Sequence, residues 1–181
     1  MNERRVHSTS RTFSTHIVSF ALLSLIWAVA GCGAGGLSLV ERAELARTES
    51  RWFDALEAYE ALVEAHPDQL DLRRERVRAA HQAGQISLLI DRLRSGSESS
   101  AGSPAARYEL ALAIAIRGEP ASDVEALEIL VGVAEELPRN AEVQYRMGRL
   151  RLDQERFEEA VVPLERAVEL EPAHVRSRIA L

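Results

Sequence analysis

Few side chains in this sequence could carry out covalent or metal chemistry. The chain has one cysteine, Cys32, so it cannot form an internal disulfide. The histidines that follow it, at His66, His81 and His174, are too far apart to be paired metal ligands on one helix. The serines of segment 95–103 lack the Gly-x-Ser-x-Gly turn of a hydrolase nucleophile. The sequence therefore predicts no catalytic residue, no metal site, no cofactor and no small-molecule substrate.

The residues before Cys32 indicate that the chain is exported from the cytoplasm. Arginines at 4, 5 and 11 precede a largely apolar stretch of 14 residues, 17–30. That length fits the core of a secretory signal peptide and falls short of the roughly 20 residues that a spanning helix needs. A permanent transmembrane helix is the weaker alternative. The paired arginines also raise the twin-arginine export route, but that motif's usual apolar partner is absent.

The four residues that end at the cysteine, Val-Ala-Gly-Cys at 29–32, resemble the lipobox of bacterial lipoproteins. In that family a diacylglyceryl group is attached to the cysteine sulfur, and the chain is cut just before the cysteine. The resemblance implies a signal peptide over 1–31, a lipid on Cys32 that binds the membrane, and a glycine-rich flexible tether over 32–36. A free or buried thiol is the alternative interpretation.

Location follows from the same resemblance. A lipid-anchored chain of this kind belongs to the bacterial cell envelope. Gly33 stands where many enterobacterial lipoproteins carry the aspartate that retains them in the inner membrane. The resemblance therefore favours the periplasmic face of the outer membrane.

Charge excludes one class of partner. The residues after 31 contain 19 arginines, no lysine and 27 acidic residues. Such an acidic chain is not expected to bind nucleic acid. Its 150 residues are enough for one core of ordinary size.

The rest of the sequence repeats with a period of 34 residues. The full pattern has small residues at the eighth, twentieth and twenty-seventh places, a leucine at the twenty-fourth and a proline at the thirty-second, and segment 36–69 keeps part of it with Ala43, Ala55, Tyr59 and Pro67. Small residues let two helices approach closely, the leucine fills the space between them, and the proline ends the second helix. In the clearest repeat these residues are Gly148, Ala160, Leu164, Ala167 and Pro172.

This spacing resembles the tetratricopeptide repeat (TPR) family. The resemblance implies an all-α fold, in which antiparallel helix hairpins stack into an α-α superhelix over residues 37–174. Residues 175–181 are either a partial fifth repeat or a capping helix. The period gives about four repeats, at 36–69, 70–103, 104–140 and 141–174.

Three irregularities stand out against the period. Repeat two is degenerate, because Arg73 and Arg76 occupy places that normally pack and its second helix runs into the Gly/Ser-rich segment 95–103. Repeat three has three extra residues, which are predicted to lie in its turn at 120–122. In repeat four, Pro163 is predicted to bend the second helix.

The resemblance also implies a binding groove. In TPR proteins five positions of each first helix line a concave face, and arginine and tyrosine often carry binding energy at interfaces. Solvation, or pairing with acids such as Asp71 and Glu75, is the alternative role of such arginines. The Asn and Lys clamp of chaperone-binding TPR domains is missing, which argues against capture of a C-terminal carboxylate. The groove candidates are Arg74, Arg78, Tyr108, Tyr145 and Arg149.

The sequence thus predicts a non-enzymatic envelope lipoprotein whose solenoid holds an unidentified protein partner, as in envelope, secretion or pilus assembly. A structural or oligomerising accessory subunit is one alternative. Another is the N-terminal fragment of a longer TPR protein, since the chain stops seven residues into a possible fifth repeat. A catalytic role would require a further domain beyond Leu181.

Overall fold

The computed structural model describes residues 36–96, 102–118, 120–173 and 175–180. The predicted signal peptide and Cys32 lie outside these residues, as does 97–101 within the Gly/Ser-rich segment. Contacts divide the chain into two units, Met1–Leu37 and Ser38–Leu181, and the helices of the described ranges belong to the second. These helices are α1 (Leu39–Thr48), α2 (Trp52–Ala65), α3 (Leu70–Gln82), α4 (Ile86–Ser95), α5 (Pro104–Arg117), α6 (Pro120–Glu136), α7 (Ala141–Asp153), α8 (Phe157–Leu170) and α9 (Val175–Ala180).

In three of the four hairpins, the first helix begins with a polar capping residue. Ser38 accepts a hydrogen bond from the Glu41 backbone N–H at 3.2 Å, while its own N–H donates to the Glu41 carboxylate at 2.8 Å. Ser103 and Asn140 cap α5 and α7 through side-chain oxygens that accept backbone N–H groups at 3.1 Å. Each cap satisfies a donor that the first helical turn leaves unpaired.

Each hairpin turns through one residue in the left-handed region, at the fifteenth place of its repeat. These residues are Ser50, Gly84, Gly118 and Glu155, with φ between 58° and 74°. The second helix then begins two residues later, at the seventeenth place, in all four repeats. The described part of the chain contains no strand, so the predicted all-α class is confirmed.

The extra residues of repeat three are not in its turn, so that prediction is wrong. Gly118 keeps the turn short, and residues 120–122 form the first turn of α6, which has 17 residues where α2 and α8 have 14. Proline suits the first position of a helix, because its fixed φ is helical and its missing N–H would be unpaired there. Pro163 lies inside α8, which is helical throughout Phe157–Leu170, and the bend expected there stays a prediction.

The hairpin of repeat four depends on close approach. A Cβ atom added to Gly148 of α7 would lie 2.5 Å from Leu164 Cγ and 3.3 Å from the Ala160 carbonyl oxygen of α8. Leu164, Ala160 and Ala167 are all buried here. The small residues of the period therefore let α8 pack directly on the backbone of α7, as the sequence predicts.

Repeats two and three meet through buried charge. Arg76 forms a bidentate pair with Glu109 of α5, donating from Nε to Oε1 at 2.5 Å and from Nη2 to Oε2 at 2.6 Å. Arg73 donates to Glu109 Oε2 at 2.6 Å and to the Pro67 carbonyl oxygen at 2.7 Å. All three charged side chains are almost wholly buried. Arg73 and Arg76, which suggested a poorly packed repeat, are therefore part of the junction between α3 and α5.

None of the helices in the described ranges is long and apolar enough to cross a membrane.

Candidate functional site

The first helices of the hairpins, together with α9, form a surface that we call the inner face. Its central cavity has a volume of about 410 Å³ and lies among α3, α5 and α7, with one residue from α6. Its floor is aliphatic, formed by Val77, Leu112, Ala115, Ile116 and Leu150. Three consecutive repeats thus build one concave apolar surface.

Arginines surround that floor. Arg78 and Arg149 lie on either side of it, and each pairs with an acid of its own helix: Arg78 Nη1 lies 2.7 Å from Glu75 Oε2, and Arg149 Nη2 lies 2.9 Å from Asp153 Oδ1. Both arginine side chains remain nearly half exposed. Each of these pairs engages only part of a guanidinium, which has five N–H donors, and both arginines line the cavity.

Arg74 is the residue that connects the inner face. It lines the central cavity and also the two neighbouring ones, of about 670 and 330 Å³. Its guanidinium lies 2.8 Å from Asp71 Oδ1, 3.3 Å from Glu75 Oε1 and 3.4 Å from Glu142 Oε1. A change at Arg74 would therefore alter all three cavities at once.

Glu142 joins four helices through one carboxylate. Its Oε1 accepts hydrogen bonds from Arg146 Nε at 2.8 Å and from the Tyr108 hydroxyl at 3.1 Å. Arg74 Nη1 and Arg176 Nη1 lie 3.4 and 3.9 Å from the same oxygen. Helices α3, α5, α7 and α9 thus meet at one carboxylate on the inner face.

Tyr108 and Tyr145 lie deeper than groove anchors should. Tyr108 is fully buried, and burial first, then the nearby Glu142 carboxylate, holds the pKa of its hydroxyl well above the usual range. Tyr145 packs in an apolar cluster with residues of α8, and Arg146 and Arg176 stack over its ring at 5.4 and 5.8 Å from the centroid. Neither ring lines any of the three cavities, and the role of the two tyrosines in binding stays a prediction.

Two acids lie at one end of the central cavity, Asp123 of α6 and Asp153 of α7. Burial, and secondly the like charge of Asp153, raise the pKa of the Asp123 carboxyl. The cavity wall therefore consists of four arginines and two carboxylates.

The sequence identified Arg74, Arg78 and Arg149, and the structure brings all three to one cavity. It did not identify Arg146, which is the fourth arginine of that wall, because the sixth place of a repeat is outside the family's groove positions. The spacing of Glu142 and Arg146, four residues apart on one helix, is the signal that would have drawn attention to this pair. No cluster of His, Cys, Asp and Glu in the described ranges could hold a metal ion.

Sequence comparison alone finds no match: no protein-family model matches the chain, and no curated protein matches it significantly. Solved structures do match. TTC0263, a thermophilic TPR protein of Thermus thermophilus, is 18% identical, with a TM-score of 0.58 over 90% of this chain and 91% of that one.

Two further structures agree. YrrB, described as a TPR protein with an unusual peptide-binding site, is 21% identical, with a TM-score of 0.53 over 78% of this chain and 72% of its own. MamA is 17% identical, with a TM-score of 0.52 over 76% of this chain and 79% of its own. These likenesses show that the chain has the TPR-like fold, an α-α superhelix of helix hairpins.

Proposed function

We propose that this protein is a non-enzymatic scaffold whose inner face holds an extended segment of a partner protein. The central cavity carries this proposal. It combines an aliphatic floor, which gains from burying a partner's apolar side chain, with arginines that fix the partner's orientation. Such a site needs no cofactor and no small-molecule substrate.

The similar structures are consistent with this role, since YrrB is itself described as having a peptide-binding site. The contacts of Glu142 with Arg74, Tyr108 and Arg176 already join α3, α5, α7 and α9 in the absence of a partner, which supports a preformed surface. A preformed surface lowers the ordering cost of binding.

A display experiment tests the proposal. The full-length chain, purified in a mild detergent, is used to select peptides from a phage-displayed random library. Binding of the selected peptides is then measured with Ile116→Trp, whose indole would fill the cavity. Ile116 is 38% exposed and lines the floor. We expect Ile116→Trp to weaken binding by about tenfold or more, since an occupied cavity excludes the partner's anchor.

The chain offers a matched control. Val131 of α6 is 39% exposed and lines none of the three cavities. Val131→Trp should bind the selected peptides as wild type does. If both variants bind equally well, or if Val131→Trp alone fails, the inner face is not the binding site.

We further propose that the scaffold is held to a bacterial envelope membrane by lipid on Cys32, on the periplasmic face of the outer membrane. The support is the Val-Ala-Gly-Cys tetrad after an apolar stretch of signal-peptide length. Two or more acyl chains would anchor it firmly, whereas one chain binds only reversibly.

Cys32→Ser tests the anchor, because a serine oxygen cannot take the place of the thiolate as lipid acceptor. Cells expressing each form are fed a palmitate analogue, and the label on the chain is measured. Label should be present on wild type and lost from the variant, which should also remain uncleaved. Equal label on both would refute the lipid anchor and leave the scaffold proposal untouched.

A further inference from the structure

Charge is segregated between the two sets of helices. The helices of the inner face, α1, α3, α5, α7 and α9, carry thirteen arginines and seven acids. The second helices of the hairpins, α2, α4, α6 and α8, carry three arginines and fourteen acids. The chain as a whole has a net charge of −6, so these first helices and α9 together carry a net positive charge although the protein is acidic.

The buried junction does not account for this. When Arg73, Arg76 and Glu109 are set aside, the inner-face helices still carry eleven arginines and six acids. A surface of one sign on a protein of the other sign attracts oppositely charged partners to that surface and repels them elsewhere.

The central cavity shows the same excess at close range. Four arginines line it against two acids. Glu75 and Glu142, which pair with three of the arginines, do not line the cavity. The walls that a ligand would touch are therefore richer in donors than in acceptors.

The existing pairs can accommodate an incoming carboxylate. The pair of Arg149 with Asp153 is about half exposed at both side chains and lies within one helix. An exposed pair of this kind contributes little to stability, so sharing or exchanging it costs little. Arg78 is likewise nearly half exposed, whereas its partner Glu75 is only 16% exposed, so Arg78 can share its guanidinium with a second carboxylate while it keeps Glu75.

We propose that the segment bound on the inner face is acidic and places an aliphatic side chain on the cavity floor between Arg78 and Arg149. This deepens, and rests on, the scaffold function proposed above. Carboxylates of the segment pair with these guanidinium groups, and the aliphatic side chain packs on Leu112 and Ile116.

Selected peptides test the charge. Peptides enriched on the wild-type chain should be rich in Asp and Glu, and their Glu→Gln and Asp→Asn versions should bind about tenfold or more weakly. Arg149→Glu should weaken binding of the acidic peptides by at least as much, and binding should fall as salt rises. Arg78→Glu, on a different helix, provides a second variant should Arg149→Glu lose helicity.

Arg166→Glu is the matched control. Arg166 of α8 is 50% exposed and pairs with Glu169 of its own helix, while Arg149 is 44% exposed and pairs with Asp153. Arg166→Glu should bind the acidic peptides like wild type. An equal loss in this control would refute the proposal, because the effect would then come from net charge alone.

The outcomes separate the two proposals. Peptides that need the cavity, as judged by Ile116→Trp, but show no acidic bias would overturn this inference and leave the scaffold function intact. If the selection yields no peptide whose binding depends on the cavity, both proposals are overturned.

Sedimentation could instead show salt-sensitive self-association that Arg149→Glu abolishes. The occupant would then be the acidic second helices (α2, α4, α6 and α8) of another copy of the chain, and the proposal of a partner segment would be wrong.

Discussion

The hairpin of repeat four and the junction between repeats two and three bring helices together in opposite ways. In the hairpin, Gly148 lets Leu164 pack against the backbone of α7, with apolar atoms on both sides. At the junction, Glu109 lies buried between Arg73 and Arg76. The first contact lies within one repeat and needs small side chains. The second joins two repeats and needs three charges to be present together.

The two arrangements differ in what a single change does. A close apolar contact tolerates small adjustments of its neighbours, whereas a buried ion cluster loses its compensation as soon as one partner is removed. The junction should therefore be the more sensitive of the two regions, although neither one touches the proposed binding surface directly.

The largest effect is expected at the junction. Glu109→Gln removes the buried carboxylate that pairs with both Arg73 and Arg76, and we expect the free energy of unfolding to fall by about 3–5 kcal/mol. Urea unfolding followed by far-ultraviolet circular dichroism measures it. Glu128→Gln, at an exposed position of α6, should change stability by less than about 0.5 kcal/mol.

Replacing the whole cluster sharpens this result. When Arg73, Arg76 and Glu109 become apolar residues of similar size, no charge remains buried, and stability should return to near that of wild type. A loss below about 1 kcal/mol in Glu109→Gln would contradict the view that the cluster holds the two repeats together.

A smaller effect is expected in the hairpin. In Gly148→Ala the new Cβ would lie 2.5 Å from Leu164 Cγ and 2.7 Å from its Cδ2, so α7 and α8 must separate or Leu164 must move. Overpacking of this kind costs about 1–3 kcal/mol. The same urea unfolding experiment measures the loss.

At Gly132 of α6 the same substitution should change the free energy of unfolding in the opposite direction. A Cβ atom there would meet only Arg107 Nη1, at 3.9 Å. Gly132→Ala should therefore stabilise the protein by about 0.5–1 kcal/mol, because alanine loses less backbone entropy in a helix. If Gly148→Ala were also stabilising, the small residue at the eighth place of the repeat would not be what lets α7 and α8 approach closely.

The comparison also explains what the sequence could predict. The hairpin follows from a period of small residues, so Gly148, Ala160 and Leu164 indicate it without any distant partner. The junction depends on Glu109, which lies 36 residues from Arg73 and 33 from Arg76 in sequence. No local pattern connects them, and the two arginines alone indicated a degenerate repeat.

Part of the inner face was also predictable from the repeat. Arg74, Arg78 and Arg149 occupy fixed places of the period, so their alignment on one surface follows from the repeat. The burial of the Tyr108 and Tyr145 side chains does not follow from the repeat, because it depends on which side chains of neighbouring helices cover each ring. Glu142 covers the hydroxyl of Tyr108, and residues of α8 pack against Tyr145.

The smallest effect is expected in the hairpin turns of repeats two and four. Glu155, between α7 and α8, has a φ of 58°, whereas Gly84, at the same place between α3 and α4, has a φ of 71°. Left-handed backbone costs an ordinary residue about 1–2 kcal/mol and costs glycine almost nothing, although glycine loses more entropy on folding. Glu155→Gly should therefore raise the free energy of unfolding by a net of about 0.5–1 kcal/mol, and Gly84→Ala should lower it by a similar amount. Nothing within 4 Å would obstruct a Cβ at Gly84, so a loss there reports backbone strain less the entropy gained by removing glycine, with no steric clash. Urea midpoints of the two variants give the comparison. A destabilised Glu155→Gly would mean that the glutamate side chain, rather than its backbone, stabilises the turn.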